Sequence, residues 1–445
     1  MCIMKKKYRI ILSLYTIASI LFFACNKPQL KKLDSVDVLI NNEDQLTQII
    51  IYDVFTPPVA SRIYVYSSIA AYEAIRHLDN SPSISDKLNG FDKMPLPDAS
   101  KKYDYTLAAT EAFLKVARNV KVFSVDSLKA YEKNVYDNFK ANLDEDTYNA
   151  SIAFGDTIAS VVLKRAKNDG YFASRGKKKY LGSNEPGQWR PTPPDYLDGV
   201  EWCWNTMKPM VLDSASQFTP ARPPKYDTKP GSEFHNLVKE VYDINKSLTE
   251  EQKLIAKYWD DNPFVIEHSG HMAFGNKKIT PGGHWMGIAA QIIKQEKANP
   301  VKAAQTFALT SIALYDGFIS CWDEKYRSSY VRPVTVIKDL IDKDWMPLLQ
   351  TPPFPEYTSG HSTITASAAT VLTKLYRDNL AFEDSSDYKY IGLKRKFTSL
   401  SAAAEECSMS RVYGGIHYTI SVNTGANMGK QVGGLVVKKV LEGSK

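Results

Sequence analysis

Phe354-Pro355-Glu356-Tyr357-Thr358-Ser359-Gly360-His361 stands just before a run with helical spacing, Thr363 to Tyr376. Ser359 is of the residue type that caps a helix, and Gly360 allows the turn into it. A helix opened there aims its free N–H groups and the positive end of its dipole at whatever lies in front. Two flanking segments carry more charge. Upstream, Lys325-Tyr326-Arg327-Ser328-Ser329-Tyr330-Val331-Arg332-Pro333 sets a lysine and an arginine seven residues apart. Downstream is Ser410-Arg411-Val412-Tyr413-Gly414-Gly415-Ile416-His417. Singly, each is ordinary: Lys325 and Arg332 suit a solvated helix end, and Arg411 and His417 can flank a glycine C-cap. Together they supply what a tetrahedral oxyanion requires. There are three permanent cations, a hydroxyl, a glycine N–H free of side-chain obstruction and two imidazoles, and arginine's fork matches paired oxygens.

Around these segments the pattern is helical nearly everywhere. Phe154, Ile158, Val161 and Val162 lie on one helical face, with Gly170 beyond them. Thr249 and Gln252 make a capping box. Asn299-Pro300 reads as a helix start, and Ala304, Phe307, Ala308, Leu314, Tyr315 and Phe318 share a face behind it. Ser399–Tyr413 and a run from about Thr424 to Leu441 also read as helices. No strong period-2 strand run and no internal repeat is present. The fold class expected is all-α, one large helical-bundle domain from about residue 46. Its parts are an N-terminal helical region, 46–230, and a catalytic bundle, 231–445. Residues 171–231 break the pattern with Pro, Gly and Trp, and are expected to wrap over the helices.

The composition is that of a globular chain: 445 residues, 44% hydrophobic and 24% charged. The net charge is +7, but four of the basic residues fall in the first 24 positions with no acid beside them. The remainder has no basic stripe, so a nucleic-acid partner is excluded and any anion site must be local. Those first residues carry an address. Lys5, Lys6, Lys7 and Arg9 precede an apolar run, Ile10 to Ala24, too short to span a bilayer, which ends at Cys25. This resembles a bacterial lipoprotein signal (1–24), with Cys25 lipidated, the chain exported and membrane-anchored, and residues 25–45 a polar tether. Cys203, Cys321 and Cys407 are odd in number and widely spaced, so no disulfide framework or zinc knuckle is indicated.

The ordered triple of Lys325-x6-Arg332-Pro333, Ser359-Gly360-His361 and Ser410-Arg411-x5-His417 resembles the vanadium-dependent haloperoxidase and type 2 phosphatidic acid phosphatase superfamily. Thr358 is a departure, standing where that family usually has proline. The resemblance implies that Lys325, Arg332, Arg411, Ser359 and the Gly360 N–H bind the oxygens of vanadate or phosphate. It implies that His417 is the covalent group, the vanadium ligand or the attacking nucleophile, and that His361 is the acid–base residue opposite. With vanadate as cofactor, such a site oxidises halide with hydrogen peroxide. Without any cofactor, it hydrolyses phosphomonoesters through a phosphohistidine.

The haloperoxidase branch is favoured. The chain cannot thread a membrane repeatedly, as lipid phosphatases of the superfamily do, and soluble acid phosphatases are shorter. Trp322 and Phe354 match aromatics lining the halide pocket of the chloroperoxidase type, and Asp316 also fits that type. A separate alternative is a lipid-anchored glycan-binding protein, with Trp189 and Trp202–Trp204 as a stacking platform. The partners expected are therefore small molecules and, through the anchor, a membrane; the sequence leaves the oligomeric state open. Glu267, His268, His271 and His284 lack zincin spacing, and His284 is placed near a pocket mouth rather than in a metal site. Asp53 and Arg62 are read as a buried pair. Glu405 or Glu406 is read as orienting Arg411 or His361.

Overall fold

The computed structural model describes residues 33–120, 122–263, 265–269, 271–275 and 277–443, with only the backbone described for 266–269 and 272–275. The signal segment 1–24 and Cys25 lie outside the described residues.

The first helix, Ser35–Tyr52, starts within the expected tether. Asp34 caps it by accepting from the N–H groups of Val36 and Asp37. Val38, Leu39, Ile40 and Leu46 are buried along it. Its polar residues, which suggested a linker, turn inward in pairs: the Asn42 amide donates to Thr110 and Ser68 donates to Glu43. Pro57–Ile75 is buried at every position. It packs on Tyr105–Asn119, which packs on Glu145–Lys167. The latter crossing is tight, since a Cβ on Gly155 would lie 2.4 Å from the Ala108 carbonyl oxygen. Asp53 and Arg62 do not pair. Asp53 ends its helix and accepts from the N–H groups of Phe123 and Ser124. Arg62, one turn inside the next helix, faces inward to Asp169 at 2.6 Å.

The helix Pro300–Ser328 joins this half to the second, touching both Pro57–Ile75 and Gly360–Leu375. Asn299 caps it and Pro300 opens it. One apolar core runs from Leu39 to Val440. The second half adds Glu233–Lys246, Glu250–Tyr258, Pro281–Gln295, Pro333–Leu340, Leu400–Tyr413 and Thr419–Val436. The capping box at Thr249 is formed. Strands are confined, among the described residues, to two short antiparallel pairs, Ile266–Ser269 with Met272–Gly275 and Phe382–Asp384 with Arg395–Phe397.

Two devices place the later segments. Gly425, Gly429 and Gly433 form a stripe on Thr419–Val436. A Cβ at these positions would come within 2.7, 2.2 and 2.6 Å of the carbonyl oxygens of Ser359, Thr363 and Ser367. Only glycine lets the two helix backbones approach this closely, and the contact brings the start of one helix beside the start of the other.

The second device is Asp316, buried in the long helix, whose carboxylate accepts from the N–H groups of Met210, Val211 and Leu212 at 2.7, 2.7 and 3.0 Å. It straps the irregular segment across the bundle. The same segment takes hydrogen bonds from Trp322 and Tyr326 at the Val200 carbonyl. Trp189 and Trp204 are fully buried, which leaves partly exposed Trp202 as what remains of the stacking platform that a glycan-binding reading needs.

Asp316→Ala leaves three buried N–H groups without an acceptor. A loss of about 3 kcal/mol or more is expected in urea denaturation, with new proteolytic cleavage between residues 205 and 232. Unchanged stability and cleavage would mean the strap is dispensable.

Candidate active site

Lys325 occupies the last turn of Pro300–Ser328 and is fully buried. Its ammonium donates to the carbonyls of Pro355 and Glu356 at 2.9 and 3.0 Å. Burial pulls its pKa down to about 7. Arg332 stands at the N-cap of Pro333–Leu340, also fully buried. Nε donates to the Phe354 carbonyl at 2.9 Å and Nη1 to the Ile416 carbonyl at 2.7 Å. Nη2 is buried and has no partner among the described residues. Arg411, in the last turn of Leu400–Tyr413, donates from Nη2 to the Trp259 carbonyl at 2.5 Å and from Nη1 to the Asp260 carbonyl at 3.3 Å.

The two histidines meet these cations. His417 Nε2 lies 3.3 Å from Arg332 Nη1, and His361 Nε2 lies 3.4 Å from Arg411 Nη1. On its other side, His417 Nδ1 is 2.7 Å from Glu356 Oε1. Arg332 Nη1 can only donate, so the Nε2 facing it carries the lone pair and the ring proton sits on Nδ1, toward Glu356. Burial, then the charges of Arg332, Lys325 and Arg411, hold the His417 pKa well below the ordinary imidazole range. His361 is depressed likewise, by burial and then by Arg411.

Ser359 caps Gly360–Leu375, its Oγ accepting from the N–H and hydroxyl of Ser362. This leaves its own hydroxyl proton available to another acceptor. A Cβ on Gly360 would stand 3.6 Å from the Trp322 ring and 3.9 Å from the Lys325 Cε, so a side chain there would project beside the ammonium. Trp322 and Phe354 are 5.1 Å apart, and Phe354 lies 5.0 Å from Lys325 Nζ and 5.1 Å from Arg332 Cζ. The bundle therefore gathers every residue the sequence singled out as a site candidate: Lys325, Arg332, Phe354, Ser359, Gly360, His361, Arg411, His417 and Trp322.

Glu356 escaped the sequence reading. It is fully buried, holds His417, accepts from the Tyr418 N–H at 3.0 Å and takes the Ser421 hydroxyl at 2.5 Å. Burial raises its pKa to about 7. Its position as the single acid of the Phe354–His361 stretch was the available signal. Trp259 and Asp260 were also missed, because they act through backbone carbonyls that any residue possesses.

Glu405 and Glu406 make no direct hydrogen bond to Arg411 or His361 among the described residues. They lie six and five positions before Arg411 and so leave the helix on other faces. Glu406 instead accepts from Arg395 and the Trp259 indole. His284 is not at a pocket mouth but fully buried between Asp261 and Asp384. His271 is exposed, and no cluster of metal-ligating side chains occurs among the described residues.

The donor set fits an oxyanion. Two dry guanidinium groups and an amine whose charge burial weakens are held mainly by carbonyl oxygens, which orient but do not neutralise them, and one arginine nitrogen has no partner among the described residues. Such a cluster is costly until an anion completes it.

Comparison with known proteins agrees. The family model for the VCPO second helical-bundle domain matches residues 305–344 and 338–443. The solved structure of a bacterial vanadium-dependent iodoperoxidase is similar over 91% of this chain and 96% of its own, with 40% identity and a TM-score of 0.86. A bacterial vanadium-dependent chloroperoxidase, in its holo form, is similar over 94% of this chain and 95% of its own, at 19% identity and a TM-score of 0.67. Its apo form matches at the same identity and TM-score over 95% of this chain and 98% of its own. At that identity the chloroperoxidase likeness shows the fold alone. No curated protein matches the chain. The chain belongs to the vanadium-dependent haloperoxidase family.

His417 is expected to remain a neutral, Nδ1-protonated ring at pH 6.5, where a free imidazole is half protonated. Nitrogen NMR of labelled histidines checks this. A ring titrating at or above 6.5 would contradict the buried cation cluster.

Proposed function

We propose that the protein is a vanadate-dependent haloperoxidase that oxidises halide with hydrogen peroxide. The observation that carries the reading is the buried Arg332 Nη2, without a partner among the described residues, beside a neutral His417 whose Nε2 lone pair faces Arg332 Nη1. His417 Nε2 is the group that would hold vanadium, because Glu356 keeps the ring proton on Nδ1. Lys325, Arg332 and Arg411, with the Ser359 hydroxyl and the Gly360 N–H, would hold the vanadate oxygens. Bound vanadate supplies the Lewis acid that activates hydrogen peroxide toward a halide.

The chain's own residues do the rest. Lys325, Arg332 and Arg411 stabilise negative charge in a site from which water is largely excluded. His361, held neutral, has an Nε2 lone pair able to take a proton from an incoming acid and to return it later. Trp322 and Phe354 give one wall an apolar surface where a weakly hydrated halide loses little by leaving water. Iodide, the most easily oxidised of the common halides, is the substrate to test first, and the likeness to an iodoperoxidase supports that choice.

Export and lipid attachment at Cys25 belong to the same proposal, supported by the basic and apolar runs before that residue. No helix among the described residues is long and apolar enough to cross a membrane. Cys25→Ser is expected to shift the protein from the membrane fraction to the soluble one. An unchanged distribution would remove the anchor.

The deciding experiment is a paired assay on one preparation. Vanadate-loaded protein is expected to oxidise iodide in the presence of peroxide, and His417→Ala to lose that activity. Phosphomonoester hydrolysis by vanadate-free protein, with no halide oxidation after loading, would overturn the reading. Arg411→Ala and Lys325→Ala are each expected to weaken vanadate binding by about 2 kcal/mol or more. Unchanged affinity in both would reject the oxygen-binding roles.

A further inference from the structure

The buried His284 has no part in the oxyanion site itself. It sits in the first turn of Pro281–Gln295. Nδ1 lies 3.0 and 3.1 Å from the two oxygens of Asp261, and Nε2 lies 2.9 Å from Asp384 Oδ2. A ring facing a carboxylate at each nitrogen satisfies both only as imidazolium. Burial opposes that charge, but Asp261 and Asp384 outweigh it and raise the pKa well above normal. Asp384 is fixed in turn by the Ser386 N–H and the Gln291 amide. Nearby Asp387 is pushed up to about 7, first by burial and then by Asp261.

The imidazolium grips a stretch of backbone that also touches the active site. Trp259 stacks on the ring with centroids 4.6 Å apart and planes 23° apart. Asp261 adopts a left-handed backbone, φ 41°, a strained state for a residue with a side chain. Its carboxylate is bonded to His284 through both oxygens. From this same stretch the carbonyls of Trp259 and Asp260 receive Arg411, and the Asp260 backbone also hydrogen-bonds His361. His284 therefore grips one side of the Trp259–Asp261 segment, and Arg411 and His361 lean on the other.

We propose that Asp261, His284 and Asp384 form a positioning unit that aims Arg411 and His361 at the bound oxyanion through the Trp259–Asp261 backbone. The inference rests on the haloperoxidase reading. None of the three side chains bonds to Arg411 or His361, so they are positioning residues, not catalytic ones. Loss of the clamp loosens vanadate and slows turnover while leaving halide capture alone.

The test is vanadate binding by calorimetry on the vanadate-free full chain, with turnover measured after loading. His284→Gln is expected to weaken vanadate binding about tenfold and to lower kcat by a similar factor, as loss of an outer support does. The KM for iodide should move by less than about twofold. Asp384→Asn keeps an oxygen acceptor and should act in the same direction by a smaller factor. It decides the matter by the same criteria should His284→Gln fail to fold.

Each substitution is then repeated with Arg411→Lys, whose single ammonium cannot bridge both carbonyls. In that background neither should add more than about a twofold further loss of vanadate affinity, while the part of the kcat loss that runs through His361 remains. Affinity losses that multiply, or wild-type affinity and turnover in both variants while the wild-type chain binds vanadate, overturn this inference alone. A wild-type chain that binds no vanadate overturns the haloperoxidase reading and this inference with it.

Discussion

Dry positive charge is the constraint on which the structure turns. Lys325, Arg332 and Arg411 are removed from water, and each is held by two backbone carbonyls: Pro355 and Glu356, Phe354 and Ile416, Trp259 and Asp260. Carbonyl dipoles fix direction and soften desolvation, yet they carry no net charge. Glu356 is the carboxylate placed inside the cluster, and burial weakens its hold on a negative charge. The cluster is therefore oriented but not neutralised, which is the condition for a site that binds an anion tightly and keeps its field in place during reaction.

The fold serves that condition. Carbonyls from three separate stretches must converge within a few ångströms, and helices alone would spend their carbonyls internally. The converging oxygens accordingly come from helix ends and from irregular chain at 259–260, 354–356 and 416. The glycine stripe of Thr419–Val436 brings the Tyr418 end of that helix against Ser359, and the Asp316 strap presses residues 210–212 onto the long helix. The packed core around them keeps water from competing for the cations.

Much of this could be read before any coordinates. The capping signals at Thr249, Asn299 and Ser359 act within one turn of chain, and each cap forms as expected. The site candidates were legible because three short segments each keep their chemistry at fixed local spacing. Glu356 was passed over although it lay in view, since its partner His417 is 61 positions away. The tether reading stretched too far because Asn42 and Glu43 look like linker residues until Thr110 and Ser68 are seen opposite them. Asp53 with Arg62, and Glu406 with Arg411, were paired by nearness along the chain, whereas their true partners are Ser124, Asp169 and Arg395.

By itself the sequence determined the helical class, the helix starts with local caps and the set of groups able to meet an oxyanion. All of these depend on residues within a turn or two of one another. Only the tertiary structure decided that Lys325 and Arg332 are dry and not a solvated helix end, that His284 is a clamped cation, and that Glu356 fixes the tautomer of His417. Burial and distant pairing set charge and protonation, and both come from chain that is remote in sequence and adjacent in space.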